Sequence, residues 1–243
     1  MPAISGRPAW RIYQLAWGIL DWLYPPRCGG CNRLYSRWCS HCREQVRLVQ
    51  PPLCERCGKM IQAGRICAEC HSSSPAFAAL RSWAVYEGGL RHAILRLKYE
   101  GDLALGEILA RPMLELLQTL GWDFELVIPV PISLARKKER GYNQASLLAL
   151  PIALGWGAAY RPEALKKVRD TPSQVGLTVA QRRQNVLDAF EAQEKFVSGR
   201  SVLVVDDVTT SGATMEASSR ALKNAGTRQV FGITLARAAV DTR

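Results

Sequence analysis

At 243 residues with 48% hydrophobic side chains, the chain can build one medium domain plus a small module, which excludes a disordered polymer. Its formal charge of +11 is concentrated: residues 1–75 carry 10 basic and 4 acidic groups, and residues 126–183 carry 10 and 3. Two positive regions on a near-neutral remainder point to polyanionic partners, nucleic acid or a pyrophosphorylated sugar, against the plain alternative of a soluble basic surface.

The first apolar run, Ile12 to Tyr24 behind Arg7 and Arg11, is interrupted by Asp21 and crowded by Trp10, Trp17 and Trp22. No small-residue cleavage site follows before Pro25, and the run is too short to span a bilayer. An amphipathic helix over residues 1–25 that packs on the body is expected, with membrane-surface attachment as the minority reading and no transmembrane segment. All eight cysteines lie between Cys28 and Cys70. Without an export signal the compartment is a reducing cytoplasm, where clustered cysteines mean metal.

Residues 26–74 hold four C-x-x-C pairs: Cys28 and Cys31, Cys39 and Cys42, Cys54 and Cys57, Cys67 and Cys70. One such turn points two thiolates at one ion, and two turns complete a tetrahedral site for Zn²⁺. The simplest assignment gives Cys28, Cys31, Cys39 and Cys42 to one ion and Cys54, Cys57, Cys67 and Cys70 to another; a crossed assignment is the alternative. His41 and His71 sit beside ligands and read as surface residues. Structural zinc is the usual role in a region too small to bury a core. Arg33, Arg37, Arg43, Arg47, Arg56, Lys59 and Arg65 are threaded among the ligands, with Tyr35 and Trp38 between them. Cations interleaved with aromatics suit single-stranded nucleic acid, and a solvated basic face accounts for them equally well.

Ser72 to Pro75 reads as the linker into a second domain over residues 75–243. There Leu80 to Tyr86 predicts a strand, Gly88-Gly89 a turn and Leu90 to Leu97 a helix, broken by Lys98-Tyr99-Glu100-Gly101-Asp102. Leu103 to Leu120 predicts a helix kinked or broken at Pro112, and Phe124 to Val130 a strand whose exit is Pro129-Val130-Pro131. Arg136, Lys137, Lys138 and Arg140 then fall on what reads as a loop with Gly141 as hinge, placed to close over phosphates. A helix from Asn143 should be bent or shortened by Pro151. Trp156 to Tyr160 reads as a strand, Leu165 to Gln174 as a polar loop, and Thr178 with Gln181 as a capping box.

Ser201 to Thr214, SVLVVDDVTTSGAT, carries the closest chemical argument. Val202 to Val205 is a β-branched run suited to a strand buried on both faces of a parallel sheet. Neighbouring strand side chains point to opposite faces, so Asp206 and Asp207 meet one ligand together only where the strand ends and turns. Ligands collect at that edge in open α/β sheets. Thr209, Thr210, Ser211, Gly212, Ala213 and Thr214 form a small, hydroxyl-rich turn into a helix over Met215 to Ala225, a cradle for phosphate. Carboxylates beside such a cradle suit vicinal hydroxyls or a bridging Mg²⁺, so the ligand implied is a sugar phosphate. Gln229 to Ala236 supplies a last buried strand in βαβ connectivity.

This stretch resembles the 5-phosphoribosyl 1-pyrophosphate (PRPP) motif of type I phosphoribosyltransferases. By that resemblance Asp206 and Asp207 hold the ribose hydroxyls, Thr210 to Thr214 hold the 5′-phosphate, and Thr210 stands where purine-using members carry an acid. With the four C-x-x-C pairs, LRLKYEGD at 95–102, VIPVPI and RGYNQ within 127–144, and VRDTPSQVGLTVAQRRQNV at 168–186, nearly the whole chain beyond about residue 20 resembles the ComF family, a double zinc ribbon fused to a phosphoribosyltransferase domain. The resemblance implies an α/β fold with a mainly parallel sheet flanked by helices, and a link to uptake of transforming DNA; some members carry a name relating to gluconate utilisation. It further implies two structural zinc ions, Mg²⁺ with PRPP, and Lys98, Arg136, Lys138 and their neighbouring cations neutralising the departing pyrophosphate in a pentosyl transfer. Single-stranded DNA and proteins of the uptake machinery are the implied partners. The alternatives are a zinc-ribbon nucleic-acid-binding protein with a non-catalytic PRPP site, and an amidophosphoribosyltransferase-like metabolic enzyme.

Overall fold

The computed structural model describes residues 8–13, 15, 25–170, 181, 185 and 188–239. Residues 8–13 and 15 are helical, and Trp10 is buried; the rest of the expected N-terminal helix lies outside the described residues. Also outside them are residues 171–180, which hold part of the expected polar loop and Thr178 of the capping pair, together with Arg182 and Arg183.

Five strands form one parallel sheet: β1 (Ala79–Val85), β2 (Leu126–Pro129), β3 (Ala159–Tyr160), β6 (Ser201–Thr209) and β7 (Gln229–Arg237), in the order β1-β7-β6-β2-β3. A two-stranded antiparallel ribbon, β4 (Leu165–Lys167) with β5 (Phe190–Ala192), stands apart from it. The order places β6 at the centre, where the chain winds one way through β2 and β3 and the other through β7. Such a reversal opens a crevice at the carboxyl ends of the strands.

Alternation along the strands divides the core. Leu203 and Val205 face the cluster that contains Leu97, Leu105, Met113 and Leu148, whereas Val202 and Val204 face the one that contains Phe190, Met215 and Leu222. The first face is covered by α3 (Gly88–Tyr99), α4 (Leu105–Leu120) and α6 (Gln144–Trp156), and the second by α8 (Ala213–Asn224) and the β4–β5 ribbon. Gly106 of α4 lets that helix lie against α6, because a Cβ there would sit 2.6 Å from the Leu147 Cβ.

Several local expectations are corrected. Neither Pro112 nor Pro151 breaks its helix, since burial of the apolar faces of α4 and α6 outweighs one lost hydrogen bond in each. Trp156 ends α6 instead of opening a strand, and stacks on Phe124 at 4.8 Å. The cations at 136–140 lie on a short helix, α5 (Leu134–Arg140), capped by the Ser133 hydroxyl and stopped by Gly141 in the left-handed region. Leu165–Lys167, read as loop, is strand. The cradle helix begins at Ala213, two residues before the predicted start.

The cysteine region packs on the sheet as part of the same core. Cys28, Trp38, Cys39 and Cys42 join the cluster under α3 and α4. Residues 47–56 run along the open edge of β1, with Val85 N donating to Arg47 O at 2.8 Å, Val49 N to Trp83 O at 3.1 Å and Leu80 N to Arg56 O at 2.7 Å. An edge strand that would otherwise offer unpaired amides is thereby covered.

Candidate functional site

The metal ligands fall into two groups, Cys28, Cys31, Cys39 and Cys42, and Cys54, Cys57, Cys67 and Cys70, with the sulfurs of each within 4.8 Å of one another. The sequential pairing holds and the crossed one does not. Sulfur–sulfur separations of 3.6 Å for Cys28–Cys39 and 3.7 Å for Cys31–Cys39 and Cys57–Cys67 match the edge of a tetrahedron. Zn–S bonds of about 2.3 Å give edges of about 3.8 Å. Backbone amides of Cys39 and Cys67 donate to the sulfurs of Cys28 and Cys54, at 3.4 Å each. Against the cost of burial, such amides bring the Cys28 and Cys54 thiols down to about 6, toward the thiolate that a metal takes. The donor set fits structural Zn²⁺ at both places. Of the interleaved aromatics, Tyr35 is 81% exposed, but Trp38 is core and offers no stacking face.

The acid pair lies within β6, not past its end. Pairing with β2 stops at Pro129 and Val205, but pairing with β7 continues to Thr209 and Arg237. The Asp207 amide, beyond the reach of β2, donates to Asp206 Oδ1 at 2.8 Å. The two carboxylates stay in hydrogen-bonding contact with one another, and Val205 and Val208 pack on the same cluster, so strict alternation is broken between them. Asp207 is buried on the α3/α6 side, ion-paired with Lys98 in the last turn of α3. Burial would raise its pKa, but Lys98 and then hydrogen bonds from Asp206 and Gln144 bring it below the usual carboxylate value. Asp206 is only partly buried, and burial together with the Asp207 charge pushes its carboxyl well above the usual range. The pair is thus asymmetric: Asp207 is buried against Lys98, and Asp206 is the more exposed of the two.

The RGYNQ stretch ties the surrounding loops together. Arg140 stacks over Tyr99 at 4.6 Å and donates to Gln144 Oε1 at 3.0 Å. Tyr142 donates to Leu97 O at 2.7 Å, fixing the turn that carries Lys98. Asn143 caps α6 through the Ala145 amide and donates to Val130 O at 3.0 Å, fixing the exit of β2. Gln144 and Arg140 therefore act on Asp207 from behind, a role the sequence pattern alone did not reveal. Lys167 on β4 was likewise missed: it lies within electrostatic reach of Arg136, Asp170 and Asp206, and burial lowers its pKa.

Thr209 is buried, whereas Thr210, Ser211 and Gly212 are partly exposed at the start of α8. Gly212 is the N-cap at φ +80°, a conformation that favours glycine, and the Ser211 hydroxyl accepts from the Ala213 amide at 3.4 Å. Beside this turn, between the second cysteine group and α8, is a cavity of about 430 Å³ whose walls include Phe77, Phe190, Thr210, Gly212, Ala213 and Arg237. Asp206 and Asp207 are not among its described walls. Arg136 is partly exposed, and Lys137 and Lys138 are fully on the surface of α5. Lys98 is inside, against Asp207, and not on the surface with them.

Two tetrathiolate knuckles on a parallel sheet, with an acid pair and a glycine-headed helix on its central strand, define a double-zinc-ribbon protein with a phosphoribosyltransferase-type fold. Family models agree: residues 19–71 match a double zinc ribbon domain and residues 163–243 a phosphoribosyl transferase domain. The chain is 30% identical over 208 residues to Competence protein F of Haemophilus influenzae, which spans 82% of this chain and 90% of that protein. It is 32% identical to the DNA utilization protein YhgH of Salmonella typhi, over 81% of this chain and 90% of the relative. With Competence protein ComFC of Bacillus subtilis it shares 24% identity over 77% and 78% of the two chains. The chain belongs to the ComF family. Among the described residues no helix is long and apolar enough to cross a membrane.

Proposed function

We propose that the chain binds PRPP or ribose 5-phosphate at the carboxyl end of β6 and serves the cytoplasmic handling of single-stranded DNA during natural transformation. The observation that carries the first part is the partly exposed Asp206, four residues ahead of a turn that ends in the N-cap glycine of α8. A helix start offers amides to phosphate, and a carboxylate beside it accepts from ribose hydroxyls. Asp206, an oxygen donor with a neighbouring second carboxylate, fits Mg²⁺ accompanying the ligand. The names of the relatives, competence and DNA utilization proteins, support the second part.

If transfer occurs, the C1–O bond of the ribose breaks, a nitrogen acceptor forms the new bond at C1, and pyrophosphate departs. Charge then develops on the sugar ring and on the leaving group, and catalysis consists of positioning and electrostatics. Asp206 faces the first charge. Arg136, Lys137 and Lys138 supply surface cations for the second, while Lys98 sets the charge state of Asp207.

The test is calorimetry with PRPP and Mg²⁺ on the wild type and Asp206→Asn, followed by a screen of bases and amines for pyrophosphate release. A tenfold or greater loss of affinity in the variant is expected; equal affinity counts against the site. A nucleic-acid reading is favoured by the exposed Arg33, Arg43 and Tyr35 of the first ribbon. It predicts single-strand binding that weakens steeply with salt and depends little on sequence. Anisotropy showing no binding at low salt removes it.

A further inference from the structure

The two zinc sites are not electrostatically equivalent. A Zn²⁺ ion with four thiolates carries a net charge of −2, which a partly buried site must balance. At the second site two arginines from the sheet approach the knuckles. Arg237, the last residue of β7 and 5% exposed, donates through Nη2 to the carbonyl of Cys57. Arg81 of β1 donates through Nη1 to Glu55 O at 3.0 Å and Cys54 O at 3.5 Å. Among the described residues, neither guanidinium has a carboxylate within ion-pairing distance. Glu55 is taken by Arg65 at 2.6 Å.

Among the described residues the first site shows no such arrangement from the sheet. Arg96 donates to Cys28 O at 3.0 Å but is ion-paired with Asp102 at 2.7 Å and Glu100 at 3.5 Å. The contact between the second ribbon and the sheet is also closer. A Cβ on Gly58, at φ +67°, would meet Leu80 O at 2.4 Å, so the knuckle lies directly on the β1 backbone.

We propose that Arg81 and Arg237 are the counter-charges of the second zinc site, so that this ion is held jointly by the ribbon thiolates and the transferase sheet. The second ribbon is then a composite element, complete only when docked, whereas the first carries its metal on its own thiolates and backbone amides. Arg237 lies opposite Thr209 in the β6–β7 register, and Ala238 N donates to Thr209 O at 2.9 Å. The metal's electrostatic partner therefore stands one residue from the turn that begins at Thr210.

The test uses the zinc-loaded full chain. Metal release into a chromogenic chelator is followed after addition of a thiol-alkylating reagent, and the modified cysteines are mapped by mass spectrometry. Mutation of groups that support metal ligands costs about 10–100-fold in metal affinity. Arg237→Met and Arg81→Met are expected to speed release of one of two ions at least about tenfold, with labelling confined to Cys54, Cys57, Cys67 and Cys70, while Cys28, Cys31, Cys39 and Cys42 stay protected. Arg237→Lys, which keeps the charge, is expected to restore most of the protection and guards against a folding defect in the methionine variants. Exposed Arg161→Met is the control. Labelling that rises equally at both cysteine groups, or Arg237→Lys as labile as Arg237→Met, would overturn the assignment.

Discussion

Replacement of Lys98 by Met tests the asymmetry of the acid pair. The Lys98 side chain is 19% exposed and that of Asp207 4%. Removing one member of a buried pair costs about 3–5 kcal/mol, because the other is left as an uncompensated charge. For a chain of this size each kcal/mol lowers the melting midpoint by about 2–4 °C, so Lys98→Met should melt about 6–20 °C below the wild type. The loss should depend on pH, with a sign fixed by the pair. Asp207 titrates below its unfolded value, so its contribution is present above the ordinary carboxylate pKa of about 3.9 and is lost as pH falls through the folded value. Lys98 titrates above its ordinary value, so the partner charge persists throughout that range. In Lys98→Met the buried Asp207 loses the cation that holds its carboxyl down, so desolvation raises it and protonation relieves the variant as pH falls. The gap between variant and wild type should be widest near neutral pH and narrow toward pH 4. The assay is differential scanning calorimetry across pH 4–8 with zinc maintained, alongside the double variant Lys98→Met/Asp207→Leu, which removes both charges and should recover stability relative to Lys98→Met. A Lys98→Met loss below about 2 °C at neutral pH, or one that does not change with pH, would refute the reasoning.

Three further outcomes follow from the same geometry. Binding of Mg²⁺ and PRPP needs ionised Asp206, whose carboxyl is held above the usual range, so binding should release protons, more at lower pH. Calorimetry in two buffers of different ionisation heat measures this, and Asp206→Asn should abolish it. Gly106→Ala should cost about 1–3 kcal/mol through overpacking, since its Cβ would meet both the side chain and the carbonyl of Leu147, and denaturant unfolding should show a lower midpoint at unchanged slope. Tyr142→Phe removes the hydrogen bond to Leu97 O and should cost about 1 kcal/mol; if that bond fixes the Lys98 turn, ligand affinity should fall as well.

Much of this protein is legible in its residues because the relevant signals are local. Four C-x-x-C turns specify thiolate sites whatever surrounds them, and the run Val202 to Val205 before a small-residue turn specifies a buried strand leading to a helix. Pro112 and Pro151 do not end α4 and α6, because burial of the apolar faces outweighs the local penalty. The RGYNQ residues showed their identities but not their roles. Tyr142 and Leu97 are 45 positions apart, and no periodicity connects them.

The sequence by itself determined that two carboxylates, a phosphate-type turn and two metal knuckles exist, because each is written in adjacent residues. Only the tertiary structure decided how the carboxylates divide their work. Packing sets Asp207 beneath α3 and α6, where Lys98 and Gln144 hold its charge, and leaves its hydrogen-bonded neighbour Asp206 the more exposed of the two. That division depends on which helices cover each side of the sheet, and long-range packing alone fixes it. The same packing sets Arg81 and Arg237 against the second knuckle.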